Sequence, residues 1–209
     1  MGRRRQSSPL RRALPVAVAA IVLLPVVALA HPLGNFTINH YAGIRIEPER
    51  ILLDIVIDRA EIPAFQARQD LDTDGDGDVS EAETETALPG ACAEQASQLR
   101  LAVGEEPAEL VLVSAGLSFP PGAGGLSTMR LVCVFEVTVP SPLGAGSHVS
   151  FADDSFVDRL GWREIVVEGS GVVVAPVEGE LRPTSVSKRL TVYPAELLTR
   201  PLADRSVVI

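Results

Sequence analysis

Apolar and polar side chains alternate along residues 36–47, the first clear pattern after the N-terminal segment. One side of that stretch holds Phe36, Ile38, His40, Ala42, Ile44 and Ile46. A period of two is typical of a β-strand. A turn at 48–50 leads into residues 51–58, a second run that is rich in β-branched side chains. The two runs predict an antiparallel hairpin.

Six further apolar runs follow residue 98, and turn residues, mostly Gly and Pro, separate them. They cover residues 99–103, 108–119, 126–139, 148–152, 162–168 and 172–177. Short strands at this spacing, several of them alternating, are typical of two packed sheets or of a barrel. We therefore predict a mainly β fold, either an antiparallel β-sandwich or an open barrel.

Residues 59–98 interrupt the strands with a helical pattern. Residues 59–71 are compatible with a helix in which Pro63 lies in the first turn. A second helix is expected to begin near residue 80, where three glutamates favour its N-terminal end. Pro89 and Gly90 are expected to interrupt that helix, which resumes over 91–98. The pattern predicts a helical insertion between strands.

The twelve residues between these helices, 72–83, carry oxygen-bearing side chains at fixed spacing. Positions 1, 3, 5, 7, 9 and 12 of this loop are Asp72, Asp74, Asp76, Asp78, Ser80 and Glu83. Gly77 stands at position 6, where the backbone must turn sharply. This is the ligand spacing of an EF-hand, in which Asp78 supplies its backbone carbonyl and Glu83 supplies both carboxylate oxygens. The sequence predicts a Ca²⁺ ion held by these six residues.

A solvated acidic turn is the alternative, since Asp-Gly repeats also form ordinary turns. Aspartates brought together without a cation would repel one another, and a hard cation with oxygen ligands relieves that repulsion. No second acidic loop is present in the sequence, so the hand lacks its usual partner. We expect an exported calcium-binding domain whose single EF-hand has a structural or sensing role.

The first thirty residues have the parts of a secretory signal peptide. Arginines precede an apolar run over residues 13–30, which ends in the small-residue cleavage pattern Ala28-Leu29-Ala30. Cleavage after Ala30 makes His31 the mature N-terminus. The alternative is an uncleaved membrane anchor, because the apolar run approaches the span of a bilayer. Both place the rest of the chain outside the cytoplasm, secreted or at the cell surface, and no other segment is apolar enough to cross a membrane.

The net charge of the chain narrows the classes of ligand that the domain is expected to bind. The signal segment holds five arginines and no acid, so residues 31–209 carry −14 against −9 for the whole chain. This balance argues against nucleic-acid binding and agrees with a cation-binding domain.

Two cysteines, Cys92 and Cys133, remain after cleavage. An even pair in an oxidising compartment favours a disulfide, and two buried free thiols are the alternative.

The chain beyond Pro183 is more polar than the strands before it. We assign residues 1–30 to the signal peptide and 31–180 to a β-rich extracytoplasmic domain with its EF-hand insertion at about 59–98. Residues 181–209 are assigned to a tail or linker, with a short helix near 195–199.

Four stretches of the chain resemble a known group of proteins. They are residues 31–41 (HPLGNFTINHY), 58–66 (DRAEIPAFQ), 117–126 (LSFPPGAGGL) and 158–165 (DRLGWREI). They resemble the extracytoplasmic N-terminal region of bacterial, especially actinobacterial, nickel/cobalt transporter-like membrane proteins. The resemblance implies a module displayed ahead of a multi-helix transport domain. That transport domain is absent from this sequence, so the implied role is accessory to a membrane transporter subunit.

A nickel-, cobalt- or copper-capturing module is the second functional hypothesis. The terminal amine, the His31 imidazole and His40 together offer nitrogen ligands for such a metal. His40 also falls on the apolar side of its strand, where a hydrogen-bonded core histidine is the ordinary explanation.

A polar cluster surrounds the sole tryptophan of the chain. Its members are Asp153, Asp154, Asp158, Arg159, Trp162, Arg163 and Glu164. A charge-paired loop that closes the sandwich explains this cluster, and a docking surface is the alternative. The adjacent Asp153 and Asp154 could serve a hydrolase. No nucleophile–base spacing accompanies them, and three histidines offer little acid–base material, so we expect no enzymatic activity.

Overall fold

The computed structural model describes residues 32–209; the signal segment and His31 lie outside the described residues. The helices are α1 (Glu61–Leu71) and α2 (Glu81–Ser97), with short 3₁₀ turns at Ala123–Gly125 and Ala195–Leu197. The strands are β1 (Ile38–Ile46), β2 (Arg50–Arg59), β3 (Leu99–Val103), β4 (Glu106–Pro107), β5 (Val111–Ser118), β6 (Met129–Thr138), β7 (Val149–Asp153), β8 (Arg163–Gly169) and β9 (Ser206–Val208).

The described strands form two open sheets, which confirms the prediction of a mainly β, sandwich-like fold. The larger sheet has the order β5-β6-β2-β1-β8 and the smaller one the order β4-β3-β7-β9. β1 and β2 form the expected antiparallel hairpin, with Ile46 opposite Ile51 at the turn. β8 lies parallel to β1, whereas the other paired strands are antiparallel. The helical insertion lies between β2 and β3, as predicted.

The main core follows the alternation along the central strands. The side chains of β2 and β6 that point into it are Ile51, Leu53, Ile55, Ile57, Leu131, Cys133, Phe135 and Val137. Leu101 and Phe151 of the smaller sheet belong to the same buried cluster. Burial of this apolar surface is the main favourable contribution to folding. His40 lies on the same side of the large sheet, because it is paired with Ile57.

A disulfide joins the helical insertion to the large sheet, as the cysteine pair predicts. Cys92 of α2 and Cys133 of β6 are bonded, their Cα atoms are 5.8 Å apart, and both residues are fully buried. The bond indicates an oxidising, extracytoplasmic environment for the domain. Within residues 32–209, neither helix has the length and apolar character that a bilayer crossing requires.

Helix α2 continues through Pro89, so the predicted interruption at Pro89 and Gly90 is wrong. The missing N–H of proline removes one intrahelical hydrogen bond, which weakens a helix without always ending it. Tertiary contacts hold the second half of α2 in place, because Cys92 is in the disulfide and Gln95 is buried against Ser155. Packing overrides the local preference here.

Residues 172–177 do not form the strand that their apolar side chains predict. The chain turns through Gly171, whose φ is +78°, and the side chain of Val173 is almost entirely exposed. Val177 donates one backbone hydrogen bond to Val208, but no ladder follows. An apolar run becomes a strand only where a neighbouring strand has free backbone groups to pair with it.

Residues 181–209, assigned above to a tail or linker, lie against both sheets. Residues 206–208 form the edge strand β9 beside β7, and the predicted short helix is the 3₁₀ turn Ala195–Leu197. Leu190 is buried on the outer face of the large sheet, and the Tyr193 ring contacts the Trp162 ring edge-on at 5.5 Å. The carboxylate of Glu164 accepts hydrogen bonds from the backbone N–H groups of Val186 and Ser187. These contacts give the large sheet a cover on its second face.

Replacing Cys92 and Cys133 together by alanine is expected to lower the free energy of unfolding by about 4 kcal/mol, within a range of roughly 2–5. The bond closes a loop with a sequence separation of 41, and opening it restores conformational entropy to the unfolded chain. Urea unfolding of the oxidised wild type and of the double variant measures the difference. Equal free energies of unfolding would contradict a stabilising role for the bond.

Candidate metal centre

The acidic loop connects the two helices directly. Helix α1 ends at Leu71, and the N–H of Asp72 still donates to the carbonyl of Arg68. Helix α2 begins after Ser80, whose side chain accepts the N–H of Glu83 while the Glu83 carboxylate accepts the N–H of Ser80. This reciprocal capping box fixes the last third of the loop to the start of α2. Ser80 and Glu83 therefore have a structural role as well as their predicted ligand role.

Three of the predicted ligand residues converge. One carboxylate oxygen from each of Asp72, Asp74 and Asp76 lies within 4.8 Å of the other two. Backbone N–H groups orient all three: Gly77 donates to Asp72 at 2.9 Å, Asp76 to Asp74 at 3.1 Å, and Asp78 to Asp76 at 2.8 Å. The loop is thus wound around its own carboxylates.

Two glycines make this winding possible. Gly77 has a φ of +93° and Gly75 a φ of +75°, in the left-handed region that residues with a Cβ seldom adopt. Position 6 of the loop is where the sequence required such a residue. The N–H of Gly75 also donates to Asp72 at 2.7 Å, and this hydrogen bond fixes both the turn and the orientation of the Asp72 carboxylate.

Glu83 lies outside the group of three carboxylates. One of its oxygens accepts the N–H of Thr73 at 2.6 Å, and the other accepts the N–H of Ser80 at 2.8 Å. Hydrogen bonds from Ser80 and Thr73 lower the pKa of Glu83 to about 2, because they stabilise the carboxylate form. Glu83 therefore joins the beginning of the loop to its end and stays ionised.

The remaining two predicted ligands lie at the periphery. The Asp78 side chain points into solvent, 92 % exposed, and is 3.6 Å from the guanidinium of Arg68. This agrees with the expectation that Asp78 contributes its backbone carbonyl rather than its carboxylate. The Ser80 hydroxyl donates to Glu83 at 2.9 Å. Val79 between them is partly buried.

The donor chemistry fits a hard cation. The three converging groups are all carboxylates, the loop is exposed to solvent, and the cation Arg68 pairs with Asp78 at the edge of the loop. Oxygen ligands of this kind suit Ca²⁺ or Mg²⁺, and the twelve-residue spacing is the one that calcium loops use. The three aspartates are therefore chemically suited to the predicted Ca²⁺ ion.

His40 occupies a buried polar network instead of an open metal site. Its ring is 3 % exposed, and Nδ1 lies 2.9 Å from the Asp153 carboxylate. Arg163 is 3.4 Å from the same carboxylate, and Ser155 donates its hydroxyl to Asp153. No sequence pattern links Ser155 to His40, because β1 and the residues after β7 are adjacent only in the folded chain.

The protonation states in this network follow from burial and charge. Burial lowers the pKa of His40 below its ordinary value, and this outweighs the opposing contacts with Asp153. Burial disfavours the Asp153 carboxylate as well, but hydrogen bonds from His40 and Ser155 outweigh it, and the pKa of Asp153 is lowered. We infer a neutral His40 that donates Nδ1–H to an ionised Asp153. The Arg163 cation supplies the compensating charge.

The polar cluster around Trp162 separates into two parts on opposite faces of the large sheet. Asp153 and Arg163 belong to the network of His40, whereas Trp162 donates its ring N–H to Glu164 at 3.3 Å on the other face. Asp154 pairs with Arg100 at 2.6 Å. Alternation along β8 explains the separation, because neighbouring residues point to opposite faces. The described partners agree with the charge-paired explanation.

No family model and no curated protein sequence matches this chain. The relation to the N-terminal regions of nickel/cobalt transporter-like proteins therefore stays a prediction, based on the four stretches of sequence given above.

Acidification from about pH 8 to about pH 5 is expected to destabilise the wild type more than a His40→Gln variant, whose amide can still donate to Asp153. The folded-state pKa of His40 lies below 6.5, so the unfolded state binds the proton first. The contribution of the neutral His40 to the free energy of unfolding is complete above pH 6.5, and it is lost as the pH falls below 6.5 towards the lower folded-state pKa. One titrating group changes the free energy of unfolding by at most about 1.4 kcal/mol per pH unit.

Urea unfolding at a series of pH values measures this difference. Burial raises the pKa of Asp58 to about 6, but this group titrates in both proteins and its effect cancels in the comparison. Parallel stability curves for wild type and variant would contradict the assignment of a buried neutral His40.

Proposed function

We propose that this protein is an extracytoplasmic calcium-binding domain with a single EF-hand loop and no enzymatic activity. The observation that carries the proposal is the convergence of Asp72, Asp74 and Asp76 around one centre. Three carboxylates at this separation repel one another in the absence of a cation. A divalent ion bound by these oxygens attracts all three carboxylates, and this attraction offsets their mutual repulsion.

The ligand set follows from the loop positions. Asp72, Asp74 and Asp76 supply carboxylate oxygens, and Asp78 supplies its backbone carbonyl. Ser80 binds directly or through a water, and Glu83 closes the site with both carboxylate oxygens. The ion itself supplies positive charge at the centre of the loop. For an unpaired hand we expect a dissociation constant of about 10⁻⁴ to 10⁻³ M, the range of extracellular modules.

A bracing role fits this site better than a switch. Glu83 belongs both to the loop and to the first turn of α2, and α2 is bonded to β6 through Cys92. An ion in the loop therefore ties the end of α1 to a helix that is already fixed to the sheet. A sensor hand opens a groove between two mobile helices. The disulfide restrains such an opening here.

The setting of the domain supports an accessory role at the cell surface. The disulfide indicates an oxidising compartment, and the first thirty residues have the features of a signal peptide or anchor. The resemblance to the N-terminal regions of nickel/cobalt transporter-like proteins suggests a membrane transporter as the partner.

The alternative, capture of nickel, cobalt or copper by His31 and His40, draws less support. His40 is buried and its Nδ1 is engaged with Asp153, so as a ligand it offers Nε2 alone. Among the described residues, the group of three or more candidate donors close enough to share an ion is the aspartate group of the loop.

Calorimetric titration of the exported protein with calcium is expected to show one site, weakened at least roughly tenfold by Asp72→Asn and by Glu83→Ala. Asp78→Asn is the matched control, since it removes one charge from the same loop and keeps the carbonyl ligand. We expect it to change the affinity by no more than about twofold. Identical heats for wild type and Glu83→Ala would exclude the assignment.

Calcium at about 10 mM is expected to raise the free energy of unfolding by about 1.4 to 2.7 kcal/mol, as binding to the folded state alone requires. A bracing site also predicts slower amide hydrogen exchange at the end of α1 and the start of α2. Urea unfolding with and without calcium gives the first quantity, and exchange followed by mass spectrometry gives the second. Faster exchange in α2 with calcium would point to a switch instead.

A further inference from the structure

The outer face of the large sheet carries an open trough beside the cover that residues 181–209 give it. The trough has a volume of about 320 Å³, within the range of roughly 300–1,000 Å³ that small-molecule sites occupy. The strand registers arrange its floor in two rows across β8, β1, β2 and β6. The first row is Val166, Gly43, Asp54 and Val134, and the second includes Glu168, Arg45 and Leu52.

The floor of the trough is apolar and reachable from solvent. Leu52 and Val134 are partly exposed although both belong to central strands of the sheet. Gly43 lies between the strands that carry them and has no side chain to fill the space. The Tyr41 hydroxyl lies 2.7 Å from the position that a Cβ of Gly43 would take, so the phenol leans over Gly43. Burial raises the pKa of Tyr41 to about 12, and its hydroxyl therefore stays protonated at neutral pH.

Two ion pairs form the walls of the trough. In the first, Nε of Arg189 lies 2.7 Å from Oδ2 of Asp54, and Nη2 lies 2.8 Å from Oδ1. In the second, Arg45 and Glu168 are 3.8 Å apart, and their side chains are 50 % and 58 % exposed. Two positive and two negative charges cancel, so the walls have no net charge that would select an ion of either sign.

The turn that supplies Arg189 is conformationally unfavourable. Lys188, Arg189 and Leu190 have φ angles of +50°, +58° and +65°. Side chains with a Cβ disfavour this left-handed region, and three such residues in succession add their costs. The Ser187 hydroxyl accepts the N–H of Leu190 at 2.9 Å and so maintains the turn. Backbone strain of this kind is concentrated at ligand sites, and here it fixes a guanidinium group at the wall of the trough.

The walls require a ligand whose groups both donate and accept hydrogen bonds. Guanidinium groups only donate and carboxylates only accept, whereas a hydroxyl group does both. An anion in the trough would be repelled by Asp54 and Glu168, and a cation would be repelled by Arg45 and Arg189. The two rows are two residues apart along each strand, about 6.7 Å, which a sugar ring with its hydroxyl groups spans. A neutral polyhydroxylated ring therefore matches both walls.

We propose that this trough binds a neutral saccharide. Its hydroxyl groups exchange hydrogen bonds with Arg45, Glu168 and the exposed edge of the Arg189 guanidinium group. The C–H groups of the ring pack onto Leu52 and Val134. The disulfide indicates an extracytoplasmic setting, in which the glycans of a cell surface are accessible. The trough shares no residue with the calcium loop, so either site can fail without the other.

Titration of the ¹⁵N-labelled exported protein with three neutral disaccharides, cellobiose, maltose and chitobiose, tests the proposal. Amide chemical shifts report where each sugar binds. We expect at least one of the three to shift the resonances of Gly43, Leu52 and Val134 and to leave those of residues 72–83 in place. Sugar concentrations up to about 50 mM detect dissociation constants of about 1–10 mM.

Arg45→Ala is expected to weaken the binding of that disaccharide about tenfold, because it removes hydrogen bonds from a charged donor. Glu168→Gln should weaken it about threefold, since one acceptor oxygen is lost. Arg100→Ala is the matched control: this exposed arginine pairs with Asp154 at 2.6 Å on the smaller sheet, away from the trough. Its affinity should stay within about twofold of the wild type. The side chains replaced are at least half exposed, and urea unfolding verifies that the variants keep the fold.

Two results would overturn the proposal. Shifts confined to other parts of the protein, or no shifts with any of the three disaccharides, would show that the trough is not a saccharide site. Binding of inorganic phosphate in the trough, tightened by Glu168→Gln, would show an anion site instead. Salt separates the two kinds of ligand: raising NaCl from about 0.05 M to about 0.5 M should weaken phosphate binding, but it should change the saccharide affinity by less than about twofold.

Discussion

The disulfide between Cys92 and Cys133 joins the helical insertion to a central strand of the large sheet, and the candidate calcium site depends on that attachment. The insertion buries little apolar surface of its own. The buried residues of α1 include Glu61, Pro63, Ala64 and Ala67, and α2 buries Cys92 and Gln95. Small and polar side chains give weak hydrophobic stabilisation, so a covalent bond has a large relative effect.

Charge repulsion and covalent restraint act in opposite directions on this loop. The carboxylates of Asp72, Asp74 and Asp76 are drawn inward by backbone N–H groups, while their mutual repulsion favours a more open loop. The calcium ion proposed above would offset this repulsion. In a paired EF-hand the partner loop supplies part of the rigidity, whereas here the sheet supplies it through α2 and β6. The proposed bracing function follows from this arrangement.

Buried polar groups mark further places where this fold departs from an apolar sandwich, two of them at His40 and Glu61. His40 lies on the core side of β1 and is hydrogen-bonded there to Asp153 through Nδ1, with Arg163 balancing the charge. Glu61 lies at the start of α1 and has one oxygen without a donor among the described residues. The first network joins β1 of the large sheet to β7 of the smaller one, and Nε2 of His40 has no hydrogen-bond partner among the described residues. Each of the two places thus holds a buried polar atom without a partner among the described residues, which costs free energy of folding.

The sequence by itself determined the local features of this protein. The alternation of residues 36–47 and 51–58 gave the hairpin, and the spacing from Asp72 to Glu83 gave the loop, because side-chain direction and loop ligands depend on positions a few residues apart. Tertiary structure decided the rest. Helix α2 passes Pro89 because distant contacts hold it, residues 172–177 lack a strand partner, and residues 181–209 cover the sheets. The partners of His40 and Glu61 lie more than sixty residues away in the chain, so no local pattern could have shown them.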